Sequence, residues 1–222
     1  MIQNRHWTLA RRPVGNGYAE AFALRSEPLS APGEGQILVE NRVLSMDSGT
    51  RMYMTDREDS YQPGTPLGAK LIGTVLGVVA KSRHPRFAEG DRVRCYGQWA
   101  DWSLVTPDTE YCAKLDDAHN DLKQYVGIFG ANGWTAYVGV LETGAAKAGE
   151  TFVVSAAAGC TGIMAGQIAK LTGCRVIGIA GGPAKCGLLT ADYGFDAAID
   201  YKAANVEAEL ARLCPKGIDL YF

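Results

Sequence analysis

The chain has 222 residues, with 22 basic and 24 acidic side chains, a formal net charge of −2 and 47% hydrophobic residues. That near balance gives no electrostatic case for nucleic acid, and no apolar run approaches the roughly 20 residues of a membrane span. The length is enough to bury a core as one large or two modest domains.

The opening residues Met1-Ile2-Gln3-Asn4-Arg5-His6-Trp7 lack the apolar centre of a signal peptide. Six cysteines are present. None forms a Cys-x-x-Cys pair, which reads as reduced thiols in a cytoplasmic protein. No repeat or low-complexity segment is found. Residues 1–114 read as short strands punctuated by turns: 7–11 and 18–24, joined by Pro13-Val14-Gly15-Asn16-Gly17, then 36–43, 72–79, 91–96 and 101–106. Strands of this length and spacing suggest a partly open barrel. Residues 116–129 and 134–141 read as helices leading into a second domain over 115–222.

That second domain is organised around Thr151 to Gly182. Phe152-Val153-Val154 is a β-branched run of the kind buried on both faces of a parallel sheet. A turn of small residues follows, Ala156-Ala157-Ala158-Gly159-Cys160-Thr161-Gly162, then a helical apolar pattern stopped by Gly173 and a second strand, Val176-Ile177-Gly178-Ile179-Ala180. This is the order and size of a βαβ unit. Gly159 and Gly162 remove side chains where a diphosphate must approach the backbone, and a helix starting near Thr161 aims unpaired N–H groups at the same place. The spacing is Ala156-x-x-Gly159-x-x-Gly162, with alanine at the first glycine of the usual fingerprint. Gly166, one turn into the helix, would let that helix approach a strand closely. The alternatives are an ordinary strand-to-helix turn and the similar turn of nucleotide-dependent methyltransferases. Cys160 lies at the helix start, where a thiolate is stabilised; the plainer reading is a small residue tolerated in the turn.

An NAD site places an acid about 20 residues past the turn, on the ribose 2′-hydroxyl. Here that place reads Ala180-Gly181-Gly182-Pro183-Ala184-Lys185. With no carboxylate there and a lysine close by, a 2′-phosphate is attracted rather than repelled, which favours NADPH. The alternative for Lys185 is a solvated helix residue.

The runs Gly133-Trp134-Thr135-Ala136-Tyr137, Ala148-Gly149-Glu150-Thr151, Ser155-Ala156-Ala157-Ala158-Gly159 and Gly166-Gln167-Ile168-Ala169-Lys170 resemble zinc-free medium-chain dehydrogenases/reductases. The branch is that of leukotriene B4 dehydrogenase/prostaglandin reductase, plant double-bond reductase and curcumin reductase. The resemblance implies an α/β protein: a β-rich GroES-like catalytic domain followed by a Rossmann doubly wound parallel sheet. It implies an NADP-dependent oxidoreductase that needs no zinc and reduces the carbon–carbon double bond of an enone or enal, and a homodimer. In that branch a lysine after the second strand and a tyrosine after the third hold the adenosine 2′-phosphate; Lys185 and Tyr201 match them. A serine usually precedes the lysine, and Gly182 stands there instead.

Zinc members of the superfamily carry a cysteine near Ser45-Met46-Asp47 and a Gly-His-Glu where this chain reads Gly68-Ala69-Lys70. Neither thiol nor imidazole is present, and zinc needs three or four N/S ligands. His6, His84 and His119 read as surface or capping residues. Without a metal, the protein must position donor and acceptor and offer hydrogen bonds to the oxygen on which enolate charge develops. The resemblance places Tyr53 and Tyr96 as candidate donors, and Asn132 and Thr135 on the nicotinamide side. For both tyrosines the alternative is plain packing. The branch's Pro-Tyr-Met-Arg motif is replaced by Asp47-Ser48-Gly49-Thr50-Arg51-Met52; its aromatic is missing, which implies a pocket that is wider or closes differently.

Residues 205–213 read as a helix, and Ile218-Asp219-Leu220-Tyr221-Phe222 as the beginning of a buried strand. That gives about four strands where a six-stranded sheet needs two more, so the sequence reads as a truncated Rossmann domain. Two further functions stay open: a quinone oxidoreductase of the same superfamily, and a non-catalytic NADPH-binding protein.

Overall fold

Alternating burial in the first half of the chain builds an antiparallel sheet. In the computed structural model, which describes residues 2–15, 17–56, 63–116 and 121–222, strands β3 (Ile37–Leu44), β4 (Ile72–Ser82), β5 (Arg92–Gln98), β6 (Trp102–Val105) and β7 (Cys112–Lys114) pair in the order β6-β3-β4-β5-β7. Ile37, Val39, Val75, Val79, Val93, Cys95 and Val105 meet on its inner face. The register of β3 on β4 slips between Leu38 and Val39 and between Asn41 and Val43, the bulges that let a sheet curl.

Two further strands, β1 (Ile2–Leu9) and β2 (Phe22–Leu29), form an antiparallel ribbon. They overlap the expected 7–11 and 18–24 only at 7–9 and 22–24. The reason is that β1 turns polar residues inward. Asn4, His6 and Thr8 are buried, so no hydrophobic alternation marks the strand. Asn4 takes the place of a strand partner, its Nδ2 donating to the Trp102 carbonyl (3.0 Å) while its Oδ1 accepts from the Trp102 N–H (3.0 Å). The short helix α1 (Thr50–Tyr53) sits between β3 and β4 in sequence.

The chain divides into two compact units, Met1–Lys123 and Gln124–Phe222. The expected helix over 116–129 reduces, among the described residues, to a 3-10 turn at Leu122–Tyr125. Gly127 and Gly130 break the run into successive turns, with Phe129 N–H bonded to the Gln124 carbonyl and Gly130 N–H to that of Gly127. Helix α2 (Ala131–Tyr137) starts three residues earlier than expected and passes into a π-helical segment, Val138–Thr143.

The second unit is a Rossmann-like βα alternation: β8 (Thr151–Val154), α3 (Cys160–Thr172), β9 (Arg175–Ala180), α4 (Pro183–Ala191), β10 (Ala197–Asp200), α5 (Val206–Leu213) and β11 (Leu220–Tyr221). All four strands run parallel in the order β10-β9-β8-β11. The sheet is covered on both faces, as the β-branched runs require. Phe152, Val154 and Val176 pack among residues of α2 and α3 on one side, and Val153, Ile177 and Ile199 against α5 on the other. Gly173 closes α3 in the left-handed region. Gly166 differs from expectation in its partner: a Cβ there would stand 2.0 Å from the Phe195 ring, so the close approach is to an aromatic just before β10 and not to a strand.

Candidate functional site: the nucleotide cradle and the Gly181 turn

Strand β8 delivers the chain to a turn that reverses at Ala156, which takes φ +46 although it carries a Cβ. The turn is fixed by the Ala157 N–H bonding the Ile179 carbonyl (3.0 Å) and the Gly159 N–H bonding the Ala156 carbonyl (2.8 Å). Gly159 is the N-cap of α3 in extended geometry, and no side chain caps that end. The start of α3 thus presents backbone N–H groups and a positive dipole end without a protein carboxylate or hydroxyl across them. Gly162 is buried against the same turn: a Cβ there would lie 2.6 Å from the Ala156 oxygen. Cys160 is exposed at the first helical position. The Thr161 hydroxyl donates to Asn132 Oδ1 (2.8 Å). That bond ties α2 to the cradle and brings together two of the residues singled out in the sequence. Thr135, one turn beyond Asn132, is exposed.

The second part of the site lies at the end of β9. Gly182 turns the chain at φ +96 and begins α4, with Pro183 at the first helical position. Lys185 follows in the first turn and is exposed. A cation at this end opposes the helix dipole, an arrangement that an anion bound there would relieve. Tyr201, just past β10 and 55% exposed, lays its ring beside Gly181, where a Cβ would come within 2.8 Å of the hydroxyl. Gly181 and Tyr201 are therefore neighbours, with Gly182 next in the chain and Lys185 in the first turn of the helix that follows.

Sequence reasoning missed Asp200. Its Oδ1 accepts from the Gly182 N–H (2.7 Å) and the Lys202 N–H (3.0 Å), and those two donors hold its carboxyl below the usual range. An acid is expected at the end of the second strand of the unit; here it sits at the end of the third and reaches across to Gly182. Its place in Ile199-Asp200-Tyr201-Lys202, next to the matched tyrosine, was the available signal.

In the first unit, Tyr53 is half-buried on α1 and Tyr96 is 41% exposed on β5. Neither lines that unit's apolar cavity of about 730 Å³, whose wall includes Trp7, Tyr18, Phe22, Met46, Arg51 and Trp99. Arg51, on this wall, has its guanidinium 5.3 Å from the Tyr18 ring centre and donates to the Pro13 and Gly15 carbonyls (3.1 and 3.2 Å), so α1 is tied to the loop between β1 and β2.

Two histidines differ from expectation. His6 and His84 are buried, each 4% exposed. His84 Nδ1 accepts from the Arg86 N–H (3.1 Å) and its Nε2 lies 3.2 Å from Asp108, so burial accompanies the capping role. His119 lies outside the described residues. Among the described residues, no three His, Cys, Asp or Glu side chains gather as a metal-binding group, and no helix is long and apolar enough to cross a membrane.

Two family models match the chain: the N-terminal domain of oxidoreductase over residues 5–114, and zinc-binding dehydrogenase over residues 160–222. The chain is 42% identical over 220 residues to NADPH-dependent curcumin reductase of Escherichia coli, covering 99% of this chain and 63% of that protein. It is 34% identical over 226 residues to prostaglandin reductase 1 of Oryctolagus cuniculus, covering 100% and 62%. Among solved structures, CurA from Vibrio vulnificus in complex with NADPH superimposes with a TM-score of 0.88 at 39% identity, over 98% of this chain and 64% of that one. The chain thus spans a little under two thirds of the relatives it matches. Their likeness runs through both the curled antiparallel sheet and the parallel sheet with its glycine turn, and the chain belongs to the medium-chain dehydrogenase/reductase superfamily, beside the curcumin and prostaglandin reductases.

Proposed function

We propose that this chain is the GroES-like unit and the first part of the Rossmann unit of an NADPH-dependent reductase acting on the carbon–carbon double bond of α,β-unsaturated ketones and aldehydes. The observation that carries the reading is the pairing of an uncapped α3 start with a second turn at Gly181–Gly182, followed by Lys185 in the first turn of α4 and with Tyr201 beside it. The spaces fit the cofactor: a cradle without side chains at Gly159 and Gly162 for the diphosphate, and a lysine with a tyrosine for the 2′-phosphate. Relatives named for NADPH-dependent reduction support the assignment.

NADPH, when bound, supplies hydride to the β-carbon of the acceptor. The chain's own residues do the rest. The main-chain N–H groups of Cys160, Thr161 and Gly162 hold the diphosphate, and Gly159, whose own N–H is taken by the Ala156 carbonyl, leaves room for it to approach. Asn132, oriented by the Thr161 hydroxyl, and Thr135 face the nicotinamide end. Lys185, Tyr201 and the Gly182 turn fix the adenosine phosphate. Tyr53 and Tyr96 are the candidate donors to the enolate oxygen, where one well-placed hydrogen bond contributes roughly 2.7–4 kcal/mol to the transition state. The working protein is proposed to be a cytoplasmic homodimer.

The test is cofactor kinetics with an enone acceptor. Lys185→Ala removes one charge-assisted bond, a loss of roughly 1.5–3 kcal/mol, so the KM for NADPH rises by about ten- to a hundredfold while that for NADH stays unchanged. Equal use of NADH and NADPH by the unmutated protein overturns the 2′-phosphate assignment.

A further inference from the structure

Cys95 and Cys112 face each other across the two strands β5 and β7. Their position in the ladder follows from the neighbouring bonds. The Tyr96 N–H bonds the Tyr111 carbonyl (3.0 Å), and the Leu115 N–H bonds the Arg92 carbonyl (2.8 Å). Hydrogen-bonded pairs alternate with non-hydrogen-bonded ones along an antiparallel ladder, so Cys95 and Cys112 occupy a non-hydrogen-bonded site. At such sites the Cα atoms stand about 4.5 Å apart and the side chains lie closest, within the roughly 4.4–6.8 Å range that a disulfide spans. Both cysteines are free, Cys95 buried and Cys112 partly exposed.

We propose that Cys95 and Cys112 form a peroxide-reactive dithiol, a modification site that closes to a disulfide and locks the edge strand β7 onto β5. Cys112 is the partly exposed member of the pair and Cys95 the buried one, so a peroxide reaches Cys112 first; it is the attacking sulfur and Cys95 the resolving one. The neighbouring Cys95, with Arg86 nearby, also holds the Cys112 thiol below its usual range, while Cys112 and burial push Cys95 up. The Cys112 thiolate attacks a peroxide oxygen. An S–O bond forms as the O–O bond breaks, and the departing oxygen takes a proton and leaves as water, giving a sulfenic acid. The Cys95 sulfur then displaces the hydroxyl, which leaves as a second water with the Cys95 proton, and the S–S bond forms. Two electrons pass from the cysteines to one hydrogen peroxide. A thiol reductant reverses the change.

Trypsin releases both cysteines in one peptide, residues 95–114. Treatment of the unmutated chain with limiting hydrogen peroxide is expected to yield that peptide lighter by two hydrogens, closed to alkylation until dithiothreitol is added. Cys95→Ser is expected to leave Cys112 as a sulfenic acid captured by dimedone, and Cys112→Ser to leave Cys95 unoxidised at the same dose. Recovery of Cys112 as sulfinic acid with Cys95 still alkylatable overturns the proposal, as does a disulfide joining either residue to another cysteine. The peptide map of the unmutated protein decides the matter even where a variant fails to fold.

Discussion

The Tyr201 ring closes over Gly181, so that a Cβ on Gly181 would stand 2.8 Å from its hydroxyl and 2.9 Å from its Cε1 and Cζ. Gly181→Ala therefore displaces the ring. Tyr201 is more than half exposed and can swing aside into water, so the strain is relieved at little cost to folding. The expected outcome is a severalfold rise in the KM for NADPH with the thermal midpoint almost unchanged. A large drop in the midpoint with the KM intact would make Tyr201 a packing residue only.

Ala156 stands where the usual fingerprint has its first glycine, and the backbone there keeps the glycine-like conformation, φ +46. A left-handed residue with a Cβ costs about 1–2 kcal/mol; glycine carries an extra unfolded-state entropy of roughly 0.5–1 kcal/mol. The side chain is exposed, so little packing is lost. The balance favours Ala156→Gly by about 0.5–1 kcal/mol, to be read as a shift of the urea midpoint at constant slope.

These two positions show what the sequence made legible. Glycine spacing between β-branched runs located the turn between β8 and α3, because a tight strand-to-helix turn constrains the local chain. The four strands of the parallel sheet were legible as four apolar runs separated by helical ones; their order, β10-β9-β8-β11, was not. Contacts across the fold were not legible. Gly166 reads as a helix–strand contact until Phe195 is seen filling the space. Strand β1 hides its inner face because Asn4 satisfies main-chain groups of Trp102, and hydrophobic periodicity cannot register an amide acting as a strand. Asp200 was passed over because its partners lie on a different strand's turn. Cys95 and Cys112 look unrelated until β7, too short to stand out in the sequence, is paired with β5.

Asp196 links α3 to the start of β9, accepting from Lys170 Nζ on both oxygens (2.9 Å each) and from the Val176 N–H (2.6 Å). Burial pushes its carboxyl up, but the Lys170 ammonium and the Val176 donor outweigh this and leave it below the ordinary value. A carboxyl depressed in the native state contributes stability that is complete above its unfolded value, about pH 4. That contribution is lost as pH falls through the native value. The pair is about one-third exposed, so solvent screening limits it to roughly 0.5–1 kcal/mol. Asp196→Asn is expected to be less stable than the unmutated chain by that amount at neutral pH, with the gap closing as pH falls below the unfolded value and through the depressed native one. Urea titrations at neutral and at acid pH measure it, and a gap independent of pH would assign the effect to shape rather than charge.

Asp200 places a carboxylate beside the turn proposed to hold the 2′-phosphate, and its two roles act in opposite directions. As an acceptor for the Gly182 and Lys202 N–H groups it fixes the turn from which Lys185 and Tyr201 reach the phosphate. As a charge it repels that phosphate. Asp200→Asn keeps an acceptor oxygen and removes the charge. Exposed charges interact weakly, so the KM for NADPH is expected to fall by about two- to fivefold while that for NADH stays constant, and added salt should shrink the difference because it screens the repulsion. Asp200→Ala removes the acceptor as well. The turn is then free to move, and the KM is expected to rise for both cofactors, since both depend on the main chain entering α4. If Asn and Ala behave alike, the hydrogen bonds do not position the turn. If Asn lowers the KM for NADH as much as for NADPH, the charge faces the shared part of the cofactor, and the phosphate lies elsewhere.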